Sequence, residues 1–218
     1  MCYFISCPQK ERVSAMPEEP RSIFDSKLID LAISVFDLET TGLYAHKDAI
    51  IQVAVVNVEA GEIDAEWMDY VNPGQSHRPL SEFITGFTGI NDSQLTNAPT
   101  LVQAMQKFDE FVGTRIVAGH NIANFDLNFI RRAEAKTGVE VQSFYYIDTL
   151  KIMRSLHPEI PSKKLLDCGR FYEIDFNEDE LHDALADTRL GASVMLKQFE
   201  DLASRGIVTF SDMLDFVR

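Results

Sequence analysis

Residues 31–36 are almost wholly apolar, and the chain then turns at once to Asp37-Leu38-Glu39-Thr40-Thr41-Gly42. The pattern predicts a strand over 31–37 with polar chemistry at its C-terminal end. Residues 50–58 are nearly continuously apolar, as in a strand buried on both faces. Glu59-Ala60-Gly61-Glu62 reads as a turn, and 63–71 as the hairpin partner, closed by Asn72-Pro73-Gly74. Leu101, Met105, Phe108 and Val112 fall on one helical stripe. Short strands are predicted at 116–118 and 144–147. Helices are predicted over 124–136 (ended near Gly138), 163–172 and 185–205, the last with Ala192, Met195, Phe199 and Leu202 on one face. Strands first, then strands alternating with helices, indicate an α/β domain with a mixed central sheet flanked by helices.

The chain has 218 residues. Residues 1–30, with Pro8, Pro17 and Pro20 beside Glu18 and Glu19, read as an N-terminal extension in which 23–31 forms a short helix. The main domain is expected over 31–205, with a short C-terminal tail at 206–218. No run approaches the ~20 apolar residues of a membrane span, and residues 1–10 do not read as a secretory leader. The three cysteines, Cys2, Cys7 and Cys168, argue against a disulfide framework and fit a reducing cytoplasm. No Cys/His set has zinc-ligand spacing.

The net charge is −14, from 34 acidic and 20 basic residues. Such a chain is not built for broad electrostatic binding to phosphate backbones. It is compatible with a protein partner, and with an enzyme that grips a short strand end through cations.

The candidate chemistry lies in three segments. In a strand, residues i and i+2 share a face, so Asp37 and Glu39 aim two carboxylates into one space. Their repulsion calls for a cation or a shared proton. Gly42 then permits a sharp turn and a close approach. Asp126 falls in the first turn of the 124–136 helix, where the dipole alone favours an acid, and Asn121 on the preceding loop could bond a substrate or fix the loop. His182 and Asp187 flank the start of the last long helix, where a capping or solvated histidine is, taken alone, the commoner reading. Together, four carboxylates and a histidine with a pKa near working pH make up what phosphodiester hydrolysis by a two-metal mechanism requires. Mg²⁺ or Mn²⁺ would be the expected pair, since hard cations take oxygen ligands.

Phe36 to Leu43, His120-Asn121 through Asn124-Phe125-Asp126, and His182 through Asp187 resemble the motifs of the DEDDh exonucleases, in order and spacing. The likeness is strongest to the epsilon proofreading subunits of bacterial replicative polymerases and their stand-alone relatives. Smaller matches lie at Val71-Asn72-Pro73, Ile84-Thr85-Gly86, Thr88-Gly89-Ile90, Ala98-Pro99-Thr100 and Asp148-Thr149-Leu150. The resemblance covers about residues 31–200. It implies a ribonuclease H-like fold and 3′→5′ hydrolysis that releases nucleoside 5′-monophosphates from nucleic acid 3′ ends. Asp37, Glu39, Asp126 and Asp187 would bind two divalent cations, and His182 would be the general base. The backbone around Leu38, Thr40, Thr41 and Gly42 would meet the terminal nucleotide, with Asn121 beside the scissile phosphate. Gln52 stands where many relatives have glutamate, and the lead before the first motif is longer than in epsilon subunits. Residues 206–218 are too short for a polymerase-tethering tail.

Thr40-Thr41 points to the DNA-type branch, with single-stranded DNA as the expected substrate. The alternatives are an RNA exonuclease similar to ribonuclease T or oligoribonuclease, and a non-catalytic interaction module. Ser162, Lys163 and Lys164 read either as a phosphate site or as a plain cap with solvated lysines. Asp148 is expected to be structural, with a position near the site as the alternative, and Trp67 and Tyr70 to pack.

Overall fold

The computed structural model describes residues 22–143, 145–177 and 183–217. Five strands form one sheet in the order β3-β2-β1-β4-β5: β1 Ile33–Thr40, β2 Ile50–Glu59, β3 Glu62–Tyr70, β4 Ile116–Gly119 and β5 Tyr146–Asp148. β1, β2 and β3 are antiparallel neighbours, whereas β4 runs parallel to β1, and β5 to β4. The helices are α1 Glu82–Thr88, α2 Asp92–Thr96, α3 Leu101–Val112, α4 Asp126–Thr137, α5 Thr149–Leu156, α6 Leu165–Phe171, α7 Ala184–Ser204 and α8 Phe210–Phe216. The mixed sheet with helices on both faces is the predicted α/β architecture.

Strand parity sorts the core. Ile33 and Val35 of β1 join Val56 and Val58 of β2 on the face covered by α7 through Ala192, Met195, Phe199 and Leu202. Phe36 and Leu38 join Val53 and Val55 on the opposite face, under Met105, Phe108 and Val112 of α3 and Phe129 and Ile130 of α4. Trp67 packs into this second layer, 6.0 Å from Phe111. The Tyr70 hydroxyl accepts from Gln94 Nε2 at 2.7 Å.

β1 runs to Thr40, beyond the expected end at Asp37, because β2 continues to pair with it: Asp37 faces Ala54, Glu39 faces Gln52, and an irregularity follows between Glu39 and Thr40. On its other side β1 pairs with β4 only over Ile33–Val35. The carboxyl ends of these two parallel strands therefore part, opening a crevice of the kind where α/β sheets bind ligands. Gly119 closes the bottom of it, since a Cβ there would lie 2.9 Å from the Phe36 carbonyl oxygen.

Residues 23–31 do not form the expected single helix. Two 3-10 turns, Ile23–Asp25 and Leu28–Asp30, replace it. The Leu28 N–H donates to the Val208 carbonyl at 2.9 Å and Lys27 bridges Thr209, so pairing with the far end of the chain draws the segment out of a helix. The last short strand begins at Tyr146, two residues later than the pattern indicated.

Candidate active site

Asp37 and Glu39 continue the face of β1 that bears Ile33 and Val35, which is the face α7 covers. Gly191 of α7 lies against Val35, at van der Waals distance for a Cβ placed there. One helical turn earlier stands Asp187, which the same packing sets above the two acids of β1. Asp183 caps α7 through its carboxylate, which accepts from the Leu185 and Ala186 N–H groups at 3.0 and 3.1 Å. Asp126 opens α4 from the other side of the crevice and is 3 % exposed.

The electrostatics show that these acids share one space. Burial pushes the Asp37 carboxyl well above the usual range, reinforced by Asp126, Glu39 and Asp187. Burial likewise raises Glu39 to about 7, with Asp187 and Asp183 adding to it. Asp126 is raised by burial and, less strongly, by Glu39 and Asp148, against the N–H groups of Leu38 and its own backbone. Its Oδ1 is buried without a hydrogen-bond partner. An orphaned carboxylate oxygen among other acids is what an oxygen-ligated cation would satisfy, so the residues fit such a group. Among the described residues, no three acid, histidine or cysteine side chains already form a ready-made cation cluster.

The structure thus brings together Asp37, Glu39, Asp126 and Asp187. His182 lies outside the described residues. The side chain of Leu38 belongs to the core at 3 % exposure, so only its backbone faces the crevice. Thr40 Oγ1 donates to the Gly42 carbonyl at 2.7 Å, and Thr41 Oγ1 accepts from the Ala49 N–H at 3.0 Å. Gly42 is packed on the Asp48 carboxylate, leaving no room for a Cβ. Both threonine side chains and the glycine therefore shape the β1–β2 loop, and its backbone is what they leave to a ligand.

Asn121 adopts a left-handed conformation, φ 64°. Asp148 holds it there: its carboxylate accepts from the N–H groups of Asn121 (3.1 Å) and Ala123 (3.3 Å), and also from Leu150 and Lys151 at the start of α5. His120 forms a second tie, with Nδ1 2.9 Å from Thr149 Oγ1 and Nε2 2.8 Å from the Lys163 carbonyl. A carbonyl only accepts, so Nε2 carries the proton. Asp148 is thus both structural and adjacent to the site, the two roles the sequence suggests for it, whereas the tie made by His120 is not legible there. An acid directly before Thr149, followed by Ile152, Met153 and Leu156 at helical spacing, was the available signal for a cap.

Residues 34–195 match the RNase T-type family described as Exonuclease. The chain is 40% identical over 174 residues to the PolC-type DNA polymerase III of Bacillus subtilis, and 37% identical over 172 residues to that of Bacillus cereus. Each alignment covers 79% of this chain but only 12% of the relative. Among solved structures, E. coli Exonuclease I in complex with a dT13 oligonucleotide superimposes with a TM-score of 0.70 at 16% identity, over 81% of this chain and 42% of the other. A zinc-bound form of the E. coli Exonuclease I complex with single-stranded DNA superimposes with a TM-score of 0.64, also at 16% identity, over 81% of this chain and 41% of the other. These likenesses establish the ribonuclease H-like fold. The family uses divalent metal ions. No described helix is long and apolar enough to cross a membrane. The chain belongs to the RNase T-type exonuclease family.

Proposed function

We propose that the chain removes nucleotides stepwise from the 3′ end of single-stranded DNA and releases nucleoside 5′-monophosphates. The observation that carries this is the convergence of Asp37, Glu39, Asp126 and Asp187 from β1, α4 and α7, each added charge raising its neighbours. In the proposed site these four carboxylates hold two divalent cations, Mg²⁺ or Mn²⁺. Bound there, the cations would supply an activated water and stabilise charge on the scissile phosphate.

The chain's own groups do the rest. His182, five residues before Asp187, serves as general base and takes the proton of the attacking water. The backbone of the β1–β2 loop receives the terminal nucleotide. Asn121 lies on the loop leading into α4, where its amide would bond the scissile phosphate. DNA is favoured by the kinship with replicative polymerases and by the ligands of Exonuclease I, a structural neighbour. In the polymerase relatives the matching segment is a small part of a much longer chain, so association with a polymerase is a further part of the proposal.

The test uses 5′-labelled oligo-dT and oligo-rU with product sizing. Mg²⁺ or Mn²⁺ should support a ladder shortened one nucleotide at a time from the 3′ end, and EDTA should stop it. His182→Ala should slow turnover by about 10²–10⁴-fold. Full activity in EDTA would overturn the cation role, equal pH–rate profiles with and without His182 the base assignment, and faster trimming of RNA the choice of DNA.

A further inference from the structure

Beside the acidic crevice lies a second concavity of the opposite sign. A cleft of about 490 Å³ is lined by His120, Asn121, Leu150, Arg154, Pro161, Lys163 and Lys164. Among the described residues no acid lines it, in a chain of net charge −14. Lys163 is committed to the structure, because its Nζ donates to the carbonyls of Ile160 and Pro158 while its own carbonyl takes His120. Arg154 and Lys164 are exposed and make no hydrogen bond or ion pair with a described residue. Asn121 Oδ1 accepts from Asn124 Nδ2 at 2.9 Å, which leaves the Asn121 amide N–H₂ as a further donor.

The cleft is tied to the chemistry. Asn121 stands five residues before Asp126, on the loop that Asp148 and His120 fasten to α5 and to Lys163. Two cations without a partner among the described residues, and an amide donor, on the wall of an open cleft suit a chain of spaced monoanions. A strand whose 3′ end reaches the acids through Asn121 would lay its preceding phosphates there. We propose, resting on the exonuclease reading above, that this cleft holds the phosphodiester backbone 5′ of the scissile bond, with Arg154 and Lys164 each neutralising one phosphate. Sequence-independent grip would come from here and not from the overall charge. Substrates too short to reach the cleft would be held less tightly.

The experiment compares the parent chain with Arg154→Gln/Lys164→Gln, and with Lys136→Gln as a control cation outside the cleft. Fluorescence anisotropy in Ca²⁺ reports binding of labelled dT2, dT4 and dT8, and of rU8, across a salt series. A parallel assay in Mg²⁺ separates KM from kcat. Each lost phosphate contact removes about 0.7 from the slope of log affinity against log salt, so the double variant should lose about 1.4. Its KM for dT8 should rise at least tenfold, and it should lose the gain in affinity from dT2 to dT4. Lys136→Gln should keep the parent slope, and a parallel loss with rU8 would show that the backbone alone is read. An unchanged slope and length dependence overturns the cleft while leaving the exonuclease reading intact. A parent that binds oligonucleotides through these two cations but cleaves none upholds the cleft and removes the reaction. Displacement by millimolar inorganic phosphate with no dependence on strand length would make the cleft a simple anion site and overturn the strand assignment.

Discussion

The Asp148 carboxylate accepts the backbone N–H of Asn121 at 3.1 Å, across 27 residues of chain. The same 5 % exposed carboxylate caps α5, so one side chain sets a left-handed residue of the site and starts a helix of the core. Asp148→Ala would remove the cap and leave two loop N–H groups unpaired, a loss of about 3 kcal/mol. Urea unfolding should show it as a lower midpoint with an unchanged slope. An effect under about 1 kcal/mol would mean that water replaces the clamp.

Asp37 is predicted to act against stability when no cation is bound. Burial and three acid neighbours disfavour its charge. Asp37→Asn should therefore raise the melting temperature in EDTA near pH 8, by a few degrees for a gain of about 1 kcal/mol. Activity in Mg²⁺ should fall beyond the roughly 10–100-fold that loss of a supporting residue costs. A variant less stable than the parent in EDTA would show that the charge is already compensated within the protein.

The pH dependence follows from the same groups. Glu39 is raised from 4.5 to about 7, and Asp37 and Asp126 are raised with it. The folded, cation-free protein binds these protons more tightly than the unfolded chain, so stability falls as pH rises from about 4.5 through 7. His120 works the other way, since burial lowers its pKa from 6.5 and its contribution is lost at more acid pH. One group against three leaves the acids to set the sign. Calorimetry in EDTA should give a higher melting temperature near pH 6 than near pH 8, with a larger gain from Mg²⁺ near pH 8. The reverse order would contradict the crowding of acids.

Gly119→Ala tests the floor of the crevice. The added methyl would sit 2.9 Å from the Phe36 carbonyl oxygen and 3.2 Å from Ile122 Cβ. Overpacking of this kind costs about 1–3 kcal/mol, and here it would press β4 away from β1 and shift the loop that carries Asn121. Activity should drop more than stability does. A fully active variant would show that the two strands tolerate separation.

Much of this was legible from the chain. The nearly continuous apolar run at 50–58 announced the buried strand β2, and the alternation in β1 placed Asp37 and Glu39 on one face. What escaped was short or held from a distance. α1 and α2 have 7 and 5 residues, too few to show a helical period, and are started by Ser81 and Asn91 caps. α8 begins at a Thr209–Asp212 capping box within the stretch read as a tail. The ties from Asp148 to Asn121 and from His120 to Lys163 join residues far apart, and no local pattern encodes them. The 23–31 segment departs from its helical pattern because its backbone pairs with Val208 and Thr209, far along the chain.

α7 serves two masters along one stripe. Its middle seals the sheet with Ala192, Met195 and Phe199, and its first turn delivers Asp187. A single residue inserted between Asp187 and Gly191 would swing the carboxylate by about 100° around the axis while the helix below stayed seated. The spacing of four is thus a gauge of length as much as of packing. Repacking variants at Val35 or Ala192 should then surface first as enzymes with misplaced charge, well before they surface as unfolded protein.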